Sequence, residues 1–184
     1  ENSSFEKGQI VFLGDSITAG YRLGVHYRNL GLETYNRGIS GDTTDWLLTR
    51  LQTSLFDLAP SKIVLMIGTN DINLGKSPEE IAKNYESILN LIASELPDAE
   101  VWCVSIIPQN NKYSAQAQEN NGRIQETNRE IERLASTYGY QYVNLYDRLT
   151  DKEGLLRRGY STDGLHLNFW GYCVWTDVMK EHLQ

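Results

Sequence analysis

Five residues of reactive or hydrogen-bond-donating type stand out, and each follows a short apolar run. Ser16 lies in FLGDSITAGY (12–21), where a run beginning at Ile10 stops at Gly14 and leaves Asp15 and Ser16 at its tip. Gly41 lies in NRGISGDTT, Asn70 in MIGTND, and Asp163 and His166 in STDGLHLN. Together they supply the parts that acyl transfer needs. These are a nucleophile, a base to take its proton, a group that orients the base, and donors for a developing oxyanion.

Ser16 offers the hydroxyl, at the start of a helix that follows the first strand. A plain N-capping serine would look the same in isolation. His166 is the base, since an imidazole titrates near working pH. His26 and His182, the other two histidines, fall in peripheral helical segments. Three residues before His166, the Asp163 carboxylate can reach back to Nδ1–H and turn Nε2 toward the serine; Asp163-Gly164 is also a turn signal. Gly41 lets a backbone N–H approach a substrate oxygen closely, and Asn70 offers a side-chain N–H. Asp15, Asp42 and Asp71 read as helix caps or loop anchors. Other chemistries fit less well. Gly14-Asp15-Ser16-Ile17-Thr18 lacks the second glycine of a G-x-S-x-G elbow. No G-x-G-x-x-G follows a strand and no P-loop is present. Three scattered histidines give no metal-ligand spacing, and no cofactor or metal is expected.

Positioning these residues requires strands that end side by side. Candidate strands are Ile10–Leu13, Thr34–Asn36, Lys62–Ile67, Val101–Ser105 and Gln141–Asn144, rich in β-branched and aromatic residues. Amphipathic helical patterns lie between them. Ser77-Pro78-Glu79-Glu80 spells a capping box with proline at the first helical position. Behind it Ile81, Tyr85, Ile88, Ile92 and Leu96 keep to one face, and Pro97 ends the run. Ile124, Ile131, Leu134 and Tyr138 form a second face, stopped at Gly139. Leu47, Leu51 and Leu58 mark a third, and Trp175, Val178 and Met179 a C-terminal fourth. Gln109–Asn121 is polar and reads as one long loop. Strands alternating with helices predict an α/β, three-layer α/β/α architecture with a flavodoxin-like five-stranded parallel sheet. Ligands of such sheets bind beyond the carboxyl ends of the strands, so all five residues should gather along one edge.

The 184 residues fit one domain, 1–184. With 24 acidic against 17 basic residues the net charge is −7, and no Lys/Arg cluster stands out. That argues against nucleic acid and against an anionic membrane surface. No apolar stretch approaches the ~20 residues of a membrane helix. Cys103 reads as strand core and Cys173 as part of the last helix; two cysteines make no disulfide framework, and whether they pair is open. The sequence opens at Glu1 without an initiator methionine, so removal of a preceding segment is expected and the compartment stays open.

Gly14-Asp15-Ser16, the glycine of Ile39-Ser40-Gly41, Gly68-Thr69-Asn70-Asp71 and Asp163-Gly164-Leu165-His166 resemble, in order and spacing, the four blocks of the SGNH (GDSL) hydrolases. The wording is similar to the platelet-activating-factor acetylhydrolase-like and carbohydrate acetylesterase members, with Ile17 where the family name has leucine. The resemblance implies the SGNH hydrolase fold and ester hydrolysis through an acyl-enzyme. It implies Ser16 as nucleophile, Asp163 and His166 as the rest of a triad, and Ser16, Gly41 and Asn70 as the oxyanion hole. The expected partner is a small-molecule ester with a short acyl group, acetylated carbohydrate among the candidates; eleven tyrosines and four tryptophans, Trp46, Trp170 and Tyr172 among them, are ordinary core and rim residues or stacking platforms. Lysophospholipase and thioesterase activities use the same groups, and a flavodoxin-like binding module without catalysis is the alternative from another class.

Overall fold

A computed structural model describes residues 6–28, 33–110 and 117–183. Five parallel strands, β1 (Ile10–Gly14), β2 (Thr34–Gly38), β3 (Lys62–Met66), β4 (Glu100–Val104) and β5 (Gln141–Val143), form one sheet in the order β2-β1-β3-β4-β5. The helices are α1 (Ser16–Ala19), α2 (Leu23–His26), α3 (Thr44–Ser54), α4 (Thr69–Asn73), α5 (Pro78–Glu95), α6 (Ala117–Thr137), α7 (Tyr146–Leu149) and α8 (Phe169–Leu183). Short 3₁₀ turns cover Phe56–Leu58 and Arg158–Tyr160.

The strand sequences explain why two helical layers are needed. In β1, β3 and β4 nearly every residue is buried, and side chains alternate between faces with period two. Val11, Leu13, Ile63, Leu65, Val101 and Cys103 pack with Leu47 and Leu51 of α3, Ile81, Ile88 and Ile92 of α5, and Ile124, Ile131 and Leu134 of α6. Ile10, Phe12, Val64, Met66, Trp102 and Val104 face the other way, against Ile17 of α1, Leu23 of α2, and Trp175, Val178 and Met179 of α8. The start of α5 is the expected capping box. Ser77 Oγ accepts from Glu80 N at 3.2 Å, and Ser77 N donates to Glu80 Oε2 at 2.8 Å.

The sequence reading needs two corrections. Leu58 does not extend the helix of Leu47 and Leu51; α3 ends at Ser54, and Leu58 reaches the same core from the 3₁₀ turn. The Gln109–Asn121 stretch is not one loop. Residues 111–116 lie outside the described part, and α6 already begins at Ala117. Hydropathy misses this helix start because Asn120 and Asn121 are buried by hydrogen bonding instead of apolar packing. Asn120 Nδ2 donates to Gln109 Oε1 at 3.0 Å, and Asn121 exchanges bonds with the Gln109 backbone at 2.7 and 2.8 Å. Cys103 is buried in β4, Cys173 is partly exposed in α8, and both are free thiols.

Candidate active site

β1 pairs with both β2 and β3 in a register that sets Gly14 beside Gly38 and beside Met66. The chain therefore leaves three neighbouring strands at the same level, and the segments carrying Ser16, Gly41 and Asn70 emerge together. Gly14 has no alternative: a Cβ there would lie 2.2 Å from the Met66 carbonyl oxygen and 2.3 Å from Thr18 Oγ1. The turn is completed by Asp15, whose Oδ1 accepts from Ile17 N at 2.9 Å as the cap of α1. Ser16 is the first helical residue, partly exposed at the strand tip.

From the opposite end of the chain, the segment before α8 brings His166 to this serine. Ser16 Oγ and His166 Nε2 are 2.9 Å apart, and His166 Nδ1 lies 2.6 Å from Asp163 Oδ2. The two carboxylate oxygens of Asp163 divide the work. Oδ1 accepts from Leu165 N at 2.9 Å, His166 N at 2.8 Å and Ser161 Oγ at 3.2 Å, which shapes the turn; Oδ2 holds the imidazole. Gly164, at φ +79°, supplies the left-handed residue this turn requires. With a carboxylate at Nδ1, the proton sits there and the Nε2 lone pair faces the serine hydroxyl. Partial burial would raise the Asp163 pKa, but its hydrogen bonds to the imidazole and to the Leu165 and His166 amides prevail and hold it at about 2. Asp163 stays ionised.

Gly41 and Asn70 reach the same edge. A chain of hydrogen bonds runs from Ile39 N to the Gly14 carbonyl (3.0 Å), from Asp42 N to the Ile39 carbonyl (3.2 Å), and from Asn70 Nδ2 to the Asp42 carbonyl (2.9 Å). Gly41 sits inside this loop at φ +82°, with open space where a Cβ would point. The Asn70 amide uses one hydrogen on Asp42 and has a second to offer.

Arg50 escaped the sequence reading, yet it joins the two sides of this edge. From α3 its Nε and Nη2 both lie 2.6 Å from Asp42 Oδ2. Nη2 also donates to the Gly14 carbonyl at 3.0 Å, and Nη1 to the Arg37 carbonyl at 3.1 Å and Ser54 Oγ at 2.9 Å. The available signal was an arginine on the inward stripe of Leu47, Leu51 and Ser54. Asn36 was missed as well. It donates to the Thr18 and Tyr21 carbonyls at 2.7 and 2.9 Å and accepts from Gly38 N, which fastens α1 to β2. Behind His166, Asn110 N donates to the Gly164 carbonyl at 2.9 Å, and its side chain donates to the Leu156 carbonyl at 2.7 Å.

The neighbouring aspartates anchor structure, as expected. Buried Asp71 accepts from Thr44 N and Oγ1 at 2.9 and 2.6 Å and from Lys76 at 2.8 Å, so it ties α3 to α4. Asp15 is the unusual one. Its Oδ2 is buried without a partner, and burial pushes its pKa up to about 6 against the opposing bond from Ile17 N. Tyr172 is core, its hydroxyl donating to the Ile17 carbonyl at 2.7 Å, whereas Trp46 and Trp170 are 67% and 64% exposed on the rim. Among the described residues no group of three or more His, Cys, Asp or Glu is arranged to hold a metal ion, and no helix is long and apolar enough to cross a membrane.

Known proteins match this chain in both sequence and fold. The profile of the GDSL-like Lipase/Acylhydrolase family matches residues 12–174. Platelet-activating factor acetylhydrolase IB subunit alpha2 of Rattus norvegicus is 30% identical over 166 residues, which covers 89% of this chain and 70% of that protein. A Streptococcus pneumonia structure provisionally described as a platelet activating factor superposes with a TM-score of 0.90 at 36% identity, covering 99% of this chain and 86% of that one. A GDSL-like lipase of Bacteroides thetaiotaomicron gives 0.85 at 25% identity, covering 95% and 87%. A five-stranded α/β sheet with this spacing of blocks, matched along nearly its whole length, belongs to the GDSL-like lipase/acylhydrolase family, and the protein is a carboxylic ester hydrolase.

Proposed function

We propose that the protein is a serine esterase acting through an acyl-enzyme on small-acyl esters, acetyl esters foremost, with Ser16, His166 and Asp163 as its triad. The observation that carries this reading is the unbroken hydrogen-bond line from Ser16 Oγ through both imidazole nitrogens to Asp163, at 2.9 and 2.6 Å. Ser16 Oγ attacks the ester carbonyl carbon while its proton passes to His166 Nε2. The oxyanion accepts from the Ser16 and Gly41 amides and from the free hydrogen of Asn70. As the tetrahedral species collapses, the C–O bond to the alcohol breaks and the alcohol leaves with the Nε2 proton. A water then gives its proton to Nε2 and attacks the acyl-enzyme, releasing the acid and restoring Ser16.

Support for acetyl comes from the relatives named acetylhydrolases. Acetylated carbohydrate is one alcohol that fits this chemistry. A lipid alcohol is a second, favoured by exposed apolar residues along the catalytic edge, with Trp46, Leu74 and Phe169 at 67%, 72% and 57% exposure. An ester hydrolase is no longer a candidate for a binding module without catalysis. The test is Ser16→Ala measured with p-nitrophenyl acetate and a fluorophosphonate probe. Turnover and labelling should both vanish while the melting temperature holds, and turnover retained in that variant would remove Ser16 from its role.

A further inference from the structure

The leaving alcohol must be protonated by His166 Nε2, so its oxygen has to come within hydrogen-bond reach of the imidazole, about 3 Å. The oxyanion donors lie on the Gly41 and Asn70 side, which directs the alcohol toward the chain that follows His166. There the surface is indented. A recess of about 350 Å³ is walled by Gly20, Arg22, Val25, His26, Phe169 and Tyr172. Both catalytic elements contribute to it. Gly20 closes α1, its amide donating to the Ser16 carbonyl at 3.0 Å, and Phe169 opens α8 three residues after His166. Tyr172 ties the two walls together through its bond to the Ile17 carbonyl at 2.7 Å.

The wall chemistry is apolar where solvent would normally select polar residues. Val25 is 48% exposed and Phe169 57%. Among the described residues, the exposed large apolar side chains are Val25, Ile39, Trp46, Leu74, Leu91, Phe169 and Trp170; Ile39, Trp46 and Leu74 lie in the segments that follow β2 and β3, Phe169 and Trp170 just after His166, and Val25 in α2. Such clustering marks a binding surface. The Phe169 ring is held against the His26 ring at 5.8 Å between centroids, and His26 Nδ1 is fixed by Thr176 Oγ1 at 2.9 Å. The recess is therefore a formed wall. Arg22 stands at its edge without an ion pair among the described residues.

We infer that this recess between α2 and α8 is the subsite for the alcohol half of the ester, and that it selects alcohols presenting a broad apolar face. The inference rests on the esterase reading. A sugar ring and an alkylglycerol both offer such a face, and the experiment separates them.

The test holds the acyl group constant as acetyl and varies the alcohol: ethyl acetate, 2-naphthyl acetate, a methyl xyloside triacetate and a 1-alkyl-2-acetylglycerol. Comparing each variant with the parent on the same ester cancels intrinsic reactivity. Phe169→Ala should raise KM for 2-naphthyl acetate about tenfold, the size expected when an apolar face of roughly 60 Å² is no longer covered. kcat should change little, because this contact is made equally in the ground and transition states. Val25→Ala should shift KM in the same direction, ethyl acetate should respond far less, and Leu91→Ala on the distant α5 should respond to nothing. Whichever natural-type ester follows 2-naphthyl acetate in Phe169→Ala names the source of the alcohol. KM for 2-naphthyl acetate within about twofold of the parent in both recess variants would overturn the inference. So would kcat falling equally on all esters, which reports damage to the triad. Failure of the parent to turn over any acetate, or to take the fluorophosphonate, would instead defeat the esterase reading itself.

Discussion

Arg50→Ala is the perturbation that most directly probes how the catalytic edge is held. The Arg50 side chain is 13% exposed and that of Asp42 7%, so the pair is largely out of water. Truncation strands a buried carboxylate and also removes the donor to the Gly14 and Arg37 carbonyls. Breaking a buried pair from one side costs about 3–5 kcal/mol; residual solvent access at Arg50 places this case near the lower figure. At about 3 kcal/mol, the melting temperature of a chain this size should fall by roughly 6–12 °C. Activity should fall for a separate reason. Asp42 adjoins Gly41 and its carbonyl receives Asn70 Nδ2, so two of the three proposed oxyanion donors lose their alignment. Losing one such donor costs ~10²–10³ in turnover. The assay is kcat with p-nitrophenyl acetate beside urea unfolding of parent, Arg50→Ala, Asp42→Ala and the double variant. The double variant should recover part of the stability, since no carboxylate is left alone, while kcat stays low. A kcat for Arg50→Ala within about threefold of the parent, in protein that remains folded, would refute the view that this arginine aligns the donors.

Asp163→Asn should lower kcat by ~10⁴, because the amide no longer selects the Nδ1–H tautomer. Its Oδ1 can still accept from Leu165 N and His166 N, so the melting temperature should stay close to the parent's; a rate loss below tenfold would show that His166 needs no such partner. Asp15→Asn tests the buried carboxyl. Its folded pKa of about 6 exceeds the unfolded 3.8, so the folded state holds this proton more tightly and ionisation destabilises it as pH rises. Asparagine keeps the cap but cannot ionise, and relative to the parent it should gain about 2 kcal/mol in unfolding free energy between pH 4 and pH 7; parallel pH profiles would exclude the burial argument. Gly38→Ala should lose stability and turnover together, since a Cβ there would lie 2.2 Å from Ala19 N and 2.7 Å from the Asp15 carbonyl oxygen, both backbone atoms of the turn that carries Ser16. Calorimetry and the same ester assay check it.

The continuous burial of β1, β3 and β4 was legible because parallel strands between two helical layers need apolar residues on both faces. The capping box at Ser77 was legible because a cap is decided within one turn of chain. The same local reasoning reached Ser16, Gly41 and Asn70, since strand ends in such a sheet converge whatever the loops contain, whereas Asp163 and His166, in the segment before α8, were legible from residue type and their spacing of three. Hydropathy could not find Arg50, Asn36 or the amide cluster of Gln109, Asn120 and Asn121, because each is held by hydrogen bonds to groups far away in sequence: Asn36 to Thr18, Arg50 to Gly14, Gln109 and Asn120 to Asn73, and Asn121 to Gly154. A side chain's polar partners are chosen by the packed fold, and no window of neighbouring residues contains them. The order of the blocks thus set out which groups are proposed to take part, while the tertiary structure alone decided how they are held: an arginine from α3 bracing two strand ends, and a recess between α2 and α8 that exists only once the first and last quarters of the chain have met.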